Sequence, residues 1–414
     1  MNILFIVPYV PSLIRVRPYQ IIRALLTRGH QVTVLTLWTN AREQSEVEHL
    51  RQLGAEVHAV EMPVWRSLGQ CLQALPGSDP LQAAYSWSPA LIQPYLHRNG
   101  TPYDIVHVEH LRGARYGLAF KQQGRAPVVW DSVDCITHLF TQAATQSQDR
   151  LRRWRSQFEL ERTRGYESKL VTQFDRVLVT SPTDRDMLQK LGGSAAVPIT
   201  VLANGVDLDY FQPAPTTVRE PATLILSGKM SYHANISMAM YMARDILPRV
   251  WRQQPDVRLL IVGKDPTREI LHLGQHPNIT VTGTVDHLPP YIQRSTIAVA
   301  PITYSAGIQN KILESMACAT PVITTPQALA GLKLRVGHDV LAANDAAAFA
   351  QQILDLLGNS EKQQQLGRNG RIYVETHHRW SQAGEQLEAI YAETIAANRR
   401  DATVGSPHAF LAAD

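Results

Sequence analysis

From its first residues almost to its last, the chain alternates short apolar runs with amphipathic stretches. In the first half the apolar runs are Asn2–Val7, Gln31–Thr36, Ala55–Val60, Asp104–Val108, Pro127–Asp131, Arg176–Thr180 and Ile199–Leu202. Short runs rich in Val, Ile and Leu, bounded by turn residues, predict strands buried on both faces. Helical patterns separate several of them. In Tyr19–Arg28, Ile21, Ile22, Leu25 and Leu26 share one side, and Gly29 supplies the stop. The second half repeats the alternation with Thr223–Ser227, Val257–Val262, Ile279–Gly283, Thr296–Pro301, Pro321–Thr324 and Val340–Ala342. Strand and helix in turn predict an α/β protein with two doubly wound, Rossmann-like parallel sheets and a cleft between them.

A length of 414 residues exceeds what one core organises, which agrees with two domains. The boundaries predicted are an N-terminal domain at 1–206, a linker at 207–221, a C-terminal domain at 222–378, a helix at 379–395 and a disordered tail at 396–414. The linker reading rests on the three prolines and sparse apolar content of Gln212–Pro221. A hydrophobic content of 44% and a charged content of 18% suit a soluble globular protein, and no apolar run is long enough to span a membrane. Met1–Val7 lacks a basic leader and stops at Pro8, so it reads as a first buried strand and not as a signal peptide. Three widely spaced cysteines point to a reducing, cytoplasmic setting and offer no metal-ligand spacing. A net charge of +4 is too mild to imply nucleic acid, and the His377-His378 pair reads as a surface feature.

Ligands of such sheets bind beyond the carboxyl ends of the strands, so the strand-end residues carry the candidate chemistry. The first turn, Pro8–Arg17, contains no glycine, which argues against a nicotinamide or flavin dinucleotide. Arg15 and Arg17 there either reach an anionic substrate or stay solvated, and Pro18 after Arg17 favours the first for Arg17. His107-Val-Glu-His110 and Asp131-Ser-Val-Asp134 end the fourth and fifth strands. Asp131 and Asp134 either orient a reacting hydroxyl or cap the next helix. Asp131, Asp134 and Arg17 are the catalytic candidates. Gln148–Lys169 is arginine-rich, a solvated helix whose basic face could touch anionic lipid at the inner face of a membrane.

In the second half, Gly228-Lys229 follows the first strand and opens a helix near Asn235, and Gly263 and Gly283 mark two further strand ends. Ser305–Ala317 then joins small residues to a helix on which Ile308, Ile312 and Met316 recur at spacing four. Lys311 and Glu314 fall on the opposite side. They are either an exposed ion pair or, beside a helix N-terminus, a site for phosphate and for ribose hydroxyls.

Together these residues resemble the retaining glycosyltransferases of the GT-B fold, family 4, over Asn2 to about Ile395. The resemblance is carried by Arg28-Gly-His-Gln-Val-Thr-Val34, Ala203-Asn-Gly-Val-Asp207, Ile261-Val-Gly263, Val281-Thr-Gly283 and Gly307–Ala317 with Pro321-Val322. Gly228–Asn235 and Gly307–Ala317 look closest to a branch linked to bacterial exopolysaccharide gene clusters. The resemblance implies transfer of a sugar from a nucleotide-diphosphate sugar to an acceptor hydroxyl on a glycan, glycolipid or small molecule. It implies retention of configuration, with neither metal nor cofactor. Donor binding then falls to Gly228, Lys229, Asn235, Gly263, Gly283, Gly307, Ile308, Lys311 and Glu314, with Glu314 on the ribose and Lys229 and Lys311 on the diphosphate. The chain departs from the pattern at three places. Ala306 replaces the first glutamate of the Glu-x7-Glu pair, Ala234 and Asn235 replace a lysine, and Val133 and Asp134 replace a histidine. Those departures keep open a non-catalytic binding protein or an epimerase of the same fold.

Overall fold

A computed structural model describes residues 1–13, 15–96, 103–146, 150–214, 218–303 and 308–404. Two compact units emerge: one is residues 1–203 with the chain from Trp380 onward, and the other is Asn204–Arg379.

The first unit holds a seven-stranded sheet. Its strands are β1 (Asn2–Val7), β2 (Gln31–Trp38), β3 (Glu56–Glu61), β4 (Ile105–Glu109), β5 (Val128–Val133), β6 (Arg176–Val179) and β7 (Ile199–Val201). The order is β3-β2-β1-β4-β5-β6-β7 and every pairing is parallel. Alternate residues of β1 feed opposite layers, as the two-residue period of a strand requires. Ile3, Phe5 and Val7 pack with Ile21, Ile22 and Leu25, and with Leu387, Ile390 and Tyr391 of the last helix. Leu4 and Ile6 pack with Val106, Val108, Trp130 and Phe174 on the other face.

The second unit has a six-stranded parallel sheet of β8 (Thr223–Ser227), β9 (Arg258–Val262), β10 (Ile279–Gly283), β11 (Ile297–Ala300), β12 (Val322–Thr324) and β13 (Leu341–Ala342). The order β10-β9-β8-β11-β12-β13 puts its topological switch between β8 and β11, where such sheets bind ligands.

Several expectations change. The last helix runs Trp380–Val404, so residues 396–404 are helical, and the rest of the expected tail lies outside the described residues. Apolar contacts from Trp380, Leu387 and Tyr391 to the first sheet fasten the helix to the first unit. The stretch read as a linker is bound to the second unit. Phe211 is buried, and Arg219 donates to the carbonyls of Gln293, Ser295 and Ala319 and to Thr320 Oγ1. His378 is no surface residue. It is buried, with Nδ1 2.8 Å from the Asn204 carbonyl and Nε2 3.2 Å from Tyr373 Oη.

Two glycines are fixed by a close approach. Gly228 and Gly263 end β8 and β9 with φ of +146° and +150°, and a Cβ on Gly263 would stand 1.8 Å from the Gly228 carbonyl oxygen. No rotamer relieves a backbone clash. Gly263→Ala is therefore expected to destabilise the second unit by about 1–3 kcal/mol and to displace the loop after β8. A lowered unfolding midpoint together with weakened nucleotide binding would bear this out, whereas wild-type values for both would refute it.

Candidate functional site

On the β8 side of the second unit's switch point, the loops after β8, β9 and β10 are stitched together by backbone. The Gly228 amide donates to Val262 O at 3.0 Å, Met230 N to Lys264 O at 2.8 Å and Gly263 N to Gly283 O at 3.2 Å. Side chains continue the link to the helix Asn310–Ala317. Lys311 Nζ donates to Asn235 Oδ1 at 2.7 Å, and Asn235 Nδ2 donates to Lys229 O at 2.9 Å. Asn235 thus joins two lysine-bearing segments. Lys229 itself is half exposed and meets Asp265 only distantly, at 3.9 Å.

Ile312, Leu313, Met316 and Ala317 bury the inner side of that helix, which turns Lys311 and Glu314 to its other side. Both keep some open surface, yet protein atoms crowd them. Burial lowers the Lys311 ammonium to about 8, with Glu314 pulling it back in part. Burial raises the Glu314 carboxyl to about 7, with Lys311 opposing. Desolvation outweighs mutual attraction for each, so both charged forms are disfavoured in the fold. No ion pair closer than 4 Å joins them, and Glu314 accepts no side-chain hydrogen bond among the described residues, while the Lys311 ammonium is turned to Asn235. Asn310, one turn before, is held by Asn204 Nδ2 at 3.1 Å.

In the first unit, β4 and β5 end in a buried polar cluster at the switch beside β1. Arg17, on the helix Val16–Thr27, donates through Nε at 3.0 Å and Nη2 at 2.7 Å to Asp131 Oδ2, and through Nη1 to Leu202 O at 3.1 Å. Asp131 Oδ1 accepts from the Val133 amide at 3.1 Å. Arg17 is 6% exposed and Asp131 0%. His107 is buried, stacked on Phe5 at 4.2 Å, with Nδ1 2.8 Å from Tyr391 Oη, and burial lowers it to about 4. Glu109 accepts from Tyr9 Oη at 3.0 Å; burial and then Asp131 raise it to about 8. The strand ends are strained as well as buried. His110 and Val133 have φ of +65° and +69°, a region a β-branched side chain rarely enters.

Residues 14–205 match the glycosyl transferase 4-like domain, and residues 221–359 match the glycosyl transferases group 1. The two matches together span most of the chain, and the chain belongs to the glycosyltransferases, with a 4-like domain followed by a group 1 domain. A glycogen synthase of Mycobacterium tuberculosis is 25% identical over 299 residues, covering 70% of this chain and 68% of its own. A D-inositol 3-phosphate glycosyltransferase of Xylanimonas cellulosilytica is 23% identical over 403 residues, covering 92% and 91%. Sucrose-phosphate synthase from Thermosynechococcus elongatus superposes with a TM-score of 0.70 at 18% identity, covering 96% of this chain and all of its own. Anabaena HepE in complex with UDP-glucose superposes at 0.65 and 14% identity, with coverage of 96% and 100%. The fold is thus the two-sheet GT-B class.

Within this glycosyltransferase, Gly228, Lys229, Asn235, Gly263 and Gly283 lie at or just beyond the ends of β8, β9 and β10, Lys311 and Glu314 lie on the helix Asn310–Ala317, and Ile308 precedes that helix, buried. Ser305, Ala306 and Gly307 lie outside the described residues. The catalytic candidates look different from their sequence reading. Arg17 and Asp131 satisfy each other inside the protein and offer no charge to a substrate at their present positions. Asp134 accepts from Thr180 Oγ1 at 3.2 Å, and burial followed by the nearby Asp184 raises it to about 7. Neither aspartate caps the following helix. The amides of Ile136 and Thr137 go at 2.9 Å to Glu167, from the arginine-rich helix Arg150–Leu170. That helix is therefore not simply solvated: Glu167 and Thr163 are buried. Of the residues expected in it, Gln148 and Asp149 lie outside the described ones. Arg15 is half-buried: it pairs with Glu43 at 2.9 Å, donates through Nη1 to Val10 O at 3.3 Å and lies 5.0 Å over the Tyr9 ring. Sequence reasoning passed over Tyr9 and Tyr391, whose partners lie 100 and 284 residues away, and gave Asn204 no partner, although it reaches Asn310 106 residues on.

Proposed function

We propose that this glycosyltransferase takes a nucleotide-diphosphate sugar at the β8–β11 edge and transfers the sugar to an acceptor hydroxyl with retention of configuration. The observation that carries the reading is the chain Lys311–Asn235–Lys229 beside a Glu314 that accepts no side-chain hydrogen bond among the described residues. Two ammonium groups and the glycine-bearing loop would meet the diphosphate, and Glu314 would accept from the ribose hydroxyls. Lys311 and Lys229 would stabilise the departing diphosphate, so that transfer would proceed without a metal. The UDP-glucose complex of HepE supports a donor of this class. The acceptor proton would pass to the leaving phosphate on the same face, so no protein nucleophile is needed. Arg17 and Asp131 would act by fixing the strand ends of the acceptor-side unit, with Asp134 as the group nearest to a catalytic role. The acceptor is a saccharide or lipid-linked hydroxyl.

Calorimetry with UDP-, GDP- and dTDP-sugars tests the reading. Micromolar saturation by at least one, with release of nucleoside diphosphate when acceptor is present, is expected. Failure of every donor to bind would overturn it.

A pH dependence follows from Lys311. With its proton lost near pH 8 in the free protein, a bound diphosphate would draw it back toward the ordinary 10.5. Between those values binding takes up a proton, and affinity falls as pH rises. At about pH 8.5, calorimetry in two buffers of different ionisation enthalpy should show uptake of a fraction of a proton, absent in Lys311→Met. Equal uptake in that variant would assign the proton elsewhere.

A further inference from the structure

The helix Val64–Ala74 of the first unit is inside out. Val64, Trp65, Leu68, Leu72 and, just past its end, Leu75 project within an arc of about 100° at helical pitch. All five are exposed, by 52%, 75%, 55%, 67% and 43%. The side packed on the protein is polar or small. Ser67 is fully buried, Gln70 Nε2 donates to Trp87 O at 2.7 Å and Cys71 Sγ meets Leu81 O at 3.6 Å. An ordinary surface helix does the reverse. Five of the thirteen exposed large hydrophobics among the described residues sit in this one stretch, which rules out random scatter.

Charge says what covers the stripe. From Met62 to Ser78 the sequence has no Asp or Glu, and it carries the exposed Arg66. At the other end, Arg162 donates through Nη1 to Ala74 O at 3.2 Å and to Asp79 O at 3.1 Å, and through Nη2 to Leu75 O. The same guanidinium lies 4.5 Å over the ring of the exposed Phe158. An acid-free apolar stripe bearing a tryptophan, with an arginine near each end, matches the boundary between anionic headgroups and acyl chains. No helix among the described residues is long and apolar enough to cross a membrane, so this one would lie in the interface plane.

We propose that the Val64–Leu75 face docks the protein on an anionic lipid bilayer, with Trp65, Leu68, Leu72 and Leu75 entering the headgroup boundary and Arg66 meeting lipid phosphates. This surface differs from the arginine-rich stretch 148–169 and does not depend on the donor site.

The test is co-sedimentation of the full chain with vesicles of phosphatidylglycerol and phosphatidylcholine, beside vesicles of phosphatidylcholine alone. Binding is expected to favour the anionic vesicles. Leu68→Glu with Leu72→Glu should reduce it by roughly tenfold or more while unfolding temperature and nucleotide binding stay at wild-type values, because both leucines are exposed. Absence of wild-type binding, or an unaltered double variant, overturns the proposal. So does a dimer in sedimentation velocity that the double variant dissociates without vesicle binding, which would assign the face to a second copy. Vesicle binding that requires removal of residues 405–414 would assign it to that segment.

Discussion

Glu314→Gln is expected to weaken nucleotide binding by roughly 10- to 100-fold at pH 8 without destabilising the protein, the scale of one hydrogen bond to a charged group. The two effects separate because the fold disfavours the ionised carboxyl. With a folded value near 7 against an ordinary 4.5, this group's contribution to stability is present below pH 4.5 and is lost as pH rises through 7. Replacing it with a neutral isostere should therefore leave the unfolding midpoint unchanged or raised at pH 8 and lower it, if at all, only in acid. Calorimetric titration with UDP and thermal melts at pH 5 and pH 8 check both halves. A variant that loses stability and binding together at pH 8 would make Glu314 a structural residue, and the ribose role would have to go to another group. A carboxyl kept at a stability disadvantage is what a ligand site looks like before its ligand arrives.

The largest effect on stability is expected from Arg17→Ala, at about 3–5 kcal/mol for the first unit. Asp131 is fully buried, and removing the guanidinium leaves its Oδ2 without two donors and its charge without a counterion. Glu109 and His107 lie in the same cluster, so the loss spreads. Arg17→Met combined with Asp131→Asn should restore much of the stability, because no unpaired charge then remains. Six of the seven tryptophans, Trp251 excepted, belong to this unit, so tryptophan fluorescence during urea unfolding follows it selectively. Nucleotide binding by the second unit should survive in both variants. If Arg17→Ala instead folded normally and lost only turnover, the pair would be catalytic and the structural assignment wrong.

The strands were legible because their signal is local. Apolar runs bounded by turn residues announced the thirteen strands found among the described residues within a residue or two, and alternation with helices announced parallel sheets. The spacing of Ile312 and Met316 likewise announced which side of the helix Asn310–Ala317 faces inward. What stayed hidden lies in pairings across long stretches of chain. Nothing near Arg17 in sequence signals Asp131, 114 residues away, and so an inward ion pair read as two candidates for substrate contact. Glu167 looked like part of a charged surface because the helix end it caps arrives from residues 136 and 137. The Val64–Ala74 helix shows the same limit: its periodicity would predict that Leu68 and Leu72 face the core, and only the packed structure turns Ser67 and Gln70 inward instead.

By itself, then, the sequence determined the two-sheet α/β architecture and marked the residue types of the candidate donor site, since strand periodicity and the glycines at strand ends act over a few residues. The tertiary structure decided which charges are spent on one another and which are not paired within the fold. Burial and partnership depend on segments a hundred or more residues apart, and those quantities separate Arg17 and Asp131 from Lys311 and Glu314.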